Sequence, residues 1–97
     1  MHPLSKRFHD LLDVVGKLHD AKQADYGMED DPFYNVRRGA EEWGVRPWVG
    51  AMMRLNDKVK RLQAYARKGS LANEPPSESF LDIAVYALIA HILQEEE

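Results

Sequence analysis

The sequence has no cysteine. Disulfides, thiol nucleophiles, zinc–thiolate sites and iron–sulfur clusters are therefore excluded, and a reducing cytoplasm is the expected setting. Long apolar runs are missing too: the longest, residues 83–90, falls far short of the roughly 20 residues that span a bilayer. Residues 1–10 lack the apolar stretch of a signal peptide. Neither common phosphate-binding glycine loop occurs, and no serine sits in a nucleophile elbow. Cations are not in excess. The 13 basic and 16 acidic residues leave a net charge of −3, a poor counter-charge for a nucleic-acid backbone, so no nucleic-acid polymer is expected as partner. His2, His9, His19 and His91 have no ligand spacing, and His91 reads as a satisfied core or interface histidine.

What is present is ordinary for a globular chain: 44% hydrophobic and 30% charged residues in a length of 97, enough for one domain over residues 1–97 or one subunit of an assembly. Four segments carry helical periodicity. In residues 5–24, Phe8, Leu11, Leu12, Val15 and Leu18 recur at helical spacing, with Ser5 as the expected N-cap and Gly16 as a point of close helix approach. A loop rich in Gly, Pro and acids follows over residues 25–32, then a short helix over residues 33–43 ended by Gly44. Trp43 and Trp48 flank that turn and are expected to pack into the core. The third segment is the clearest. Pro47 suits a first turn and Gly69 a helix end. Between them Trp48, Met52, Leu55, Val59, Leu62 and Ala66 step by four and three. After a hinge at residues 69–76, a last helix runs to about Gln94. It is apolar nearly all round, which predicts a central position or a partner subunit. Glu95 to Glu97, at the unfavourable end of its dipole, are expected to fray. The expected fold is all-α: a small bundle of three long helices and one short one, completed by oligomerisation.

Two constellations carry chemistry. On the last helix, Glu74, Glu78 and Asp82 are spaced by four and enter a segment otherwise built for burial. Two carboxylates one turn apart can hold Mg²⁺ or Mn²⁺; alternatively, acids in a first turn simply stay solvated in a favourable dipole. On the third helix, Arg54, Asp57, Lys58 and Arg61 fall in one stripe. This stripe can clamp phosphate, or it can neutralise Glu78 and Asp82 in a structural ion-pair network. Lys22, Asp25 and Tyr26 line a pocket in one reading and merely end a helix in the other. Asn35, Arg37 and Arg38 contact a base or phosphate, or decorate the surface.

Taken in order, Lys22-x-x-Asp25-Tyr26-Gly27, Arg54-x-x-Asp57-Lys58-x-x-Arg61-Leu62 and Glu74-x-x-x-Glu78-Ser79-x-x-Asp82-Ile83-Ala84-x-Tyr86-Ala87 resemble small phage proteins related to MazG. These are the MazG-like nucleotide pyrophosphohydrolases. Asp30-Asp31-Pro32-Phe33-x-Asn35-Val36-Arg37 is similar to members from actinobacterial phages. The resemblance spans residues 22–90. It implies an all-α fold, a homodimer or homotetramer, and Mg²⁺-dependent (or Mn²⁺-dependent) cleavage of a nucleoside or deoxynucleoside triphosphate to the monophosphate and pyrophosphate. By motif position it makes Asp57, Glu78 and Asp82 metal ligands, and Glu74 a further ligand or the water-orienting base. It makes Arg54, Lys58 and Arg61 phosphate contacts, and Lys22, Asp25, Tyr26 and Asn35 the nucleotide pocket. Two departures stand out. The family's first motif has a Glu-Glu-x-x-Glu run where this chain has Asp57-Lys58-x-x-Arg61, and its second spaces Glu and Asp by three where Glu78 and Asp82 are four apart. The enzyme reading predicts that Asp82→Asn abolishes turnover with little unfolding. Its alternatives are a non-catalytic helical oligomer that binds a host or phage protein, and a nucleotide sensor without turnover. All three have the chain in the cytoplasm, the host's if it is phage-encoded, with no membrane partner.

Overall fold

The structure, a computed structural model, describes residues 1–28 and 30–97. Glu29, within the predicted loop, lies outside the described residues. Four helices follow in order: α1 (Pro3–Tyr26), α2 (Tyr34–Glu42), α3 (Pro47–Lys68) and α4 (Pro76–Glu95). Among the described residues there is no strand, only an isolated antiparallel bridge between Met28 and Asp31. The all-α expectation, three long helices and one short, is what the chain adopts.

Helix α1 begins earlier than a serine cap predicts. The His2 ring nitrogen Nδ1 accepts the Leu4 backbone N–H at 3.0 Å, and Pro3 at the first position has no N–H to satisfy. Helix α3 starts at Pro47 and ends at Gly69, whose φ of +77° closes the helix in the left-handed region. Contacts set the arrangement. Lys22 of α1 reaches Asp82 near the start of α4, whereas Leu12 shares a groove with Ile92 near its end, so α1 and α4 run antiparallel. Arg61 and Glu74 meet at one end of the α3–α4 pair and Arg46 and Glu97 at the other, so α3 and α4 are antiparallel too.

The core is built from small and branched side chains: Val15, Val36, Ala51, Val85, Ile89, Ala90 and Leu93. Trp48 packs against it, but Trp43 is 75% exposed. The residue before Gly44 (φ +67°) is carried outward by the turn rather than into the core. Helices α2 and α3 approach closely at Gly50, where an added Cβ would lie 2.7 Å from the Cβ of Ala40. Gly16, by contrast, has nothing within 4 Å of an added Cβ and marks no close approach.

Within the single chain, helix α4 does not take the enclosed central position, one of the two outcomes its composition predicts. It buries one stripe, Ser79, Asp82, Val85, Ile89, Ala90 and Leu93, and leaves Phe80, Leu88 and Ile92 on the outside. By length and composition the whole helix is apolar enough to cross a membrane, which the uninterrupted run at residues 83–90 does not reveal. Its C-terminal acids do not fray freely. Glu96 receives both terminal nitrogens of Arg37, at 2.8 and 3.1 Å, and Glu97 pairs with Arg46 at 3.3 Å. The Arg37 contact holds the Glu96 carboxyl below its ordinary range, and Glu96 in turn raises the Arg37 guanidinium. Cations from α2 and the start of α3 thus offset the adverse dipole. His91 is exposed and pairs with Glu95 at 2.6 Å instead of entering the core.

Candidate functional site

Where α1, α3 and α4 meet, the periodicity of each helix delivers charged groups to one place. Asp82 is the buried centre. Its Oδ1 accepts from Lys22 Nζ at 2.7 Å and its Oδ2 lies 3.1 Å from Lys58 Nζ, with the side chain 11% exposed. Burial alone would push this carboxyl up, but the two lysine hydrogen bonds and charges outweigh it and hold Asp82 below the usual carboxylate range. Burial likewise opposes the charge on Lys58. The hydrogen bond and charge of Asp82, aided by Glu74 and opposed by Arg61, prevail and raise it. Lys22 also lies over the Tyr86 ring, 5.5 Å from its centroid.

A second group adjoins the first. Glu74, on the linker before α4, places Oε1 2.8 Å from Arg61 Nε and 3.9 Å from Lys58 Nζ, and that oxygen accepts the Ser79 hydroxyl at 3.5 Å. Arg61 Nε is buried and, despite that close charge contact, has no hydrogen-bond partner in good alignment.

Two adjoining concavities flank this cluster and are lined by its cations, Lys22, Lys58 and Arg61, and by Tyr86. The cationic one, about 430 Å³, is lined by Arg54, Asp57, Lys58, Arg61 and Tyr86. The other, about 440 Å³, carries aromatic and amide groups, among them His19, Gln23, Tyr26, Phe33 and Asn35, together with Lys22. Arg54 and Tyr86 belong to both walls. One concavity offers flat apolar faces with a few polar groups, and the other offers guanidinium and ammonium donors suited to phosphate.

Of the residues singled out from sequence, Lys22, Tyr26, Asn35, Arg54, Asp57, Lys58 and Arg61 line the concavities, and Asp82 and Glu74 sit beside them, paired with Lys22, Lys58 and Arg61. Asp25 is exposed, in the last turn of α1, and lines neither concavity. Arg37 and Arg38 are drawn off into ion pairs, with Asp31 and Glu96 for Arg37 and with Glu41 and Glu42 for Arg38. Phe33, Gln23, His19 and Tyr86 were missed as site residues. Tyr86 lies four residues after Asp82, one helical turn on, and that spacing was the signal available for it.

The resemblance implies a cation held by Asp57, Glu78 and Asp82. Among the described residues no group of three His, Asp or Glu side chains converges as a metal site. Glu78 is exposed in the first turn of α4, where the helix dipole favours it. Asp57 is exposed on α3. Both oxygens of Asp82 already face lysine ammonium groups. Asp57, Glu78 and Asp82 as arranged do not fit a cation held by the protein. The ion-pair alternative, drawn for Glu78 and Asp82, holds for Asp82 with Lys58; Glu74 rather than Glu78 is the acid that meets Arg61.

No protein family, curated protein or solved structure matches the chain.

Proposed function

We propose that this chain binds a nucleoside or deoxynucleoside triphosphate and hydrolyses it to the monophosphate and pyrophosphate, the reaction implied by its resemblance to MazG-like proteins. The observation that carries the binding half is the pair of concavities sharing Arg54 and Tyr86. The base enters between Phe33 and Tyr86, with the Gln23 and Asn35 amides near its edge. The phosphates meet Arg54, Lys58 and Arg61. Asp57 is the one carboxylate among the described residues that lines the cationic side, and it orients the attacking water. Mg²⁺ or Mn²⁺ enters as the counter-ion of the nucleotide, part of the substrate rather than a resident cofactor.

The proposal has the chain work in the cytoplasm as a homodimer or homotetramer. Exposed apolar side chains at Leu4, Phe8 and Leu12 on α1 and at Leu88 and Ile92 on α4 support the oligomer. Sedimentation at increasing concentration measures it.

Thermal melting with Mg²⁺ and each common dNTP, paired with chromatography of products, tests the function. A ligand at about 100 times its Kd adds about 2.7 kcal/mol to the native state. In a chain of this size that is a shift of roughly 10–20 °C. A shift with monophosphate and pyrophosphate as products is the expected result. A shift without products identifies a sensor without turnover. No shift with any nucleotide favours the second reading, a non-catalytic helical oligomer whose charges are structural. The specific observation behind that reading is the satisfied Lys22–Asp82–Lys58 triad.

A further inference from the structure

We infer that Glu74, which flanks the cationic concavity without lining it, is a built-in competitor for two of its lining cations: its carboxylate engages Arg61 and Lys58, which would take a phosphate chain, and an anionic ligand must displace it. The inference rests on the nucleotide reading above but reverses the role that the resemblance implies for Glu74, which is to assist catalysis.

Three observations support displacement over permanent pairing. First, the hold is one-sided. Arg61, Lys58 and Ser79 all approach a single oxygen, Oε1. Second, the hold is imperfect. Arg61 Nε is buried at 2.8 Å from that oxygen, yet its N–H has no aligned acceptor. A buried donor left without an acceptor is costly, and a phosphate chain offers oxygens in more directions than one carboxylate oxygen does. Third, Glu74 can leave. It sits on the linker, residues 69–75, between α3 and α4, where Ser70, Ala72 and Asn73 are exposed and Gly69 has a φ of +77°. Its departure breaks no helix. Asp82 differs on each count: both oxygens are engaged, and it lies in the buried stripe of α4. Lys58 stays partly neutralised by Asp82 when Glu74 swings away, whereas Arg61 becomes fully available.

The test is calorimetric titration of metal-free inorganic tripolyphosphate, and separately of a dNTP, into wild type, Glu74→Gln, Glu74→Ala, Arg61→Gln and Asp13→Asn. Asp13, exposed on α1, lines neither concavity, so its substitution changes net charge alone. Removing a half-buried competing charge should tighten tripolyphosphate binding by about three- to tenfold in both Glu74 variants. Asp13→Asn should change it less than about twofold, and Arg61→Gln should weaken it. The same gain with the dNTP identifies the nucleotide's phosphates as the displacing group. A gain with tripolyphosphate alone assigns the site to free polyphosphate.

Wild type that binds, with Glu74 variants equal or weaker, overturns the inference and leaves the nucleotide reading intact. A gain from Asp13→Asn as large as that from Glu74→Gln overturns it as well, because net charge would then explain the effect. Binding by neither wild type nor the Glu74 variants, or binding insensitive to Arg61→Gln, overturns both.

Discussion

Asp82→Asn is expected to destabilise the folded chain by about 2 kcal/mol, read as a fall in melting midpoint of roughly 10 °C. The carboxylate holds Lys22 of α1 and Lys58 of α3 against α4. Asparagine is isosteric but neutral. Its carbonyl can accept from one ammonium, and its amide nitrogen must then face the other. Removing one member of a fully buried ion pair costs about 3–5 kcal/mol. The two lysines here are 36% and 24% exposed and recover part of their hydration, which sets the lower figure. The pH dependence follows from the same pairings. Asp82 titrates lower in the native state than in the unfolded chain. Its stabilisation is therefore complete above about pH 4 and is lost as pH falls through the lowered native value. Lys58 is raised, so its share is complete below about pH 10 and is lost as pH climbs through the raised native value. Urea melts across pH should show both limbs in wild type and flattened limbs in Asp82→Asn. Wild-type stability in the variant would show that the triad is dispensable. For this reason lost turnover in Asp82→Asn cannot by itself assign a chemical role, contrary to the expectation of little unfolding.

Gly50→Val is expected to cost about 2–3 kcal/mol, measured by urea midpoint at unchanged slope. The first added carbon would lie 2.7 Å from the Cβ of Ala40 and 3.3 Å from its Cα. Neither atom can rotate away, because Ala40 is 2% exposed and fixed in α2. The helices must part, and valine's branch widens the gap further. Alanine at the same position gains about 1 kcal/mol of helix propensity over glycine and should lose less than valine. The effect should also reach ligand binding. Arg54 lies one turn beyond Gly50 on the same face of α3, and Asn35 and Val36 of α2 line the same concavity as Arg54. Displacing α2 separates them, so dNTP affinity should fall along with stability. Unchanged affinity in folded Gly50→Val would place the base elsewhere.

The two predictions mark where the sequence was legible. Helix α3 was readable to the residue, because Pro47 and Gly69 have local conformational reasons to sit at helix ends and the apolar stripe between them is regular. The charged stripe of Arg54, Asp57, Lys58 and Arg61 was equally readable, because spacing within one helix fixes which side chains share a face. What faces that stripe depends on how helices cross, and no local signal carries it. The ion-pair reading of the α3 stripe gives Asp82 a partner such as Lys58, but no local signal gives it Lys22, which lies 60 residues away in sequence and 2.7 Å away in space. Carboxylates spaced by four could not reveal which cations would reach them first. The outward Trp43 and the tethered Glu96 depend on the same long-range geometry. His2 was missed for a different reason: a histidine ring is an uncommon helix cap, so Ser5 offered the stronger local signal.

Helix α1 is joined to the rest mainly through its second half, by Val15, Leu18 and the Lys22–Asp82 pair, while residues 3–10 are exposed throughout. Amide hydrogen exchange is expected to show α1 opening, first turns first, while α3 and α4 stay closed. Its last turns, carrying Lys22, Gln23 and Tyr26, are also a wall of the aromatic concavity. Protection is therefore expected to rise along α1 from its exposed first turns toward the candidate site. A ligand that touches both α1 and α3 would draw α1 shut, and the slowing of exchange in α1 amides would report occupancy before any chemistry takes place.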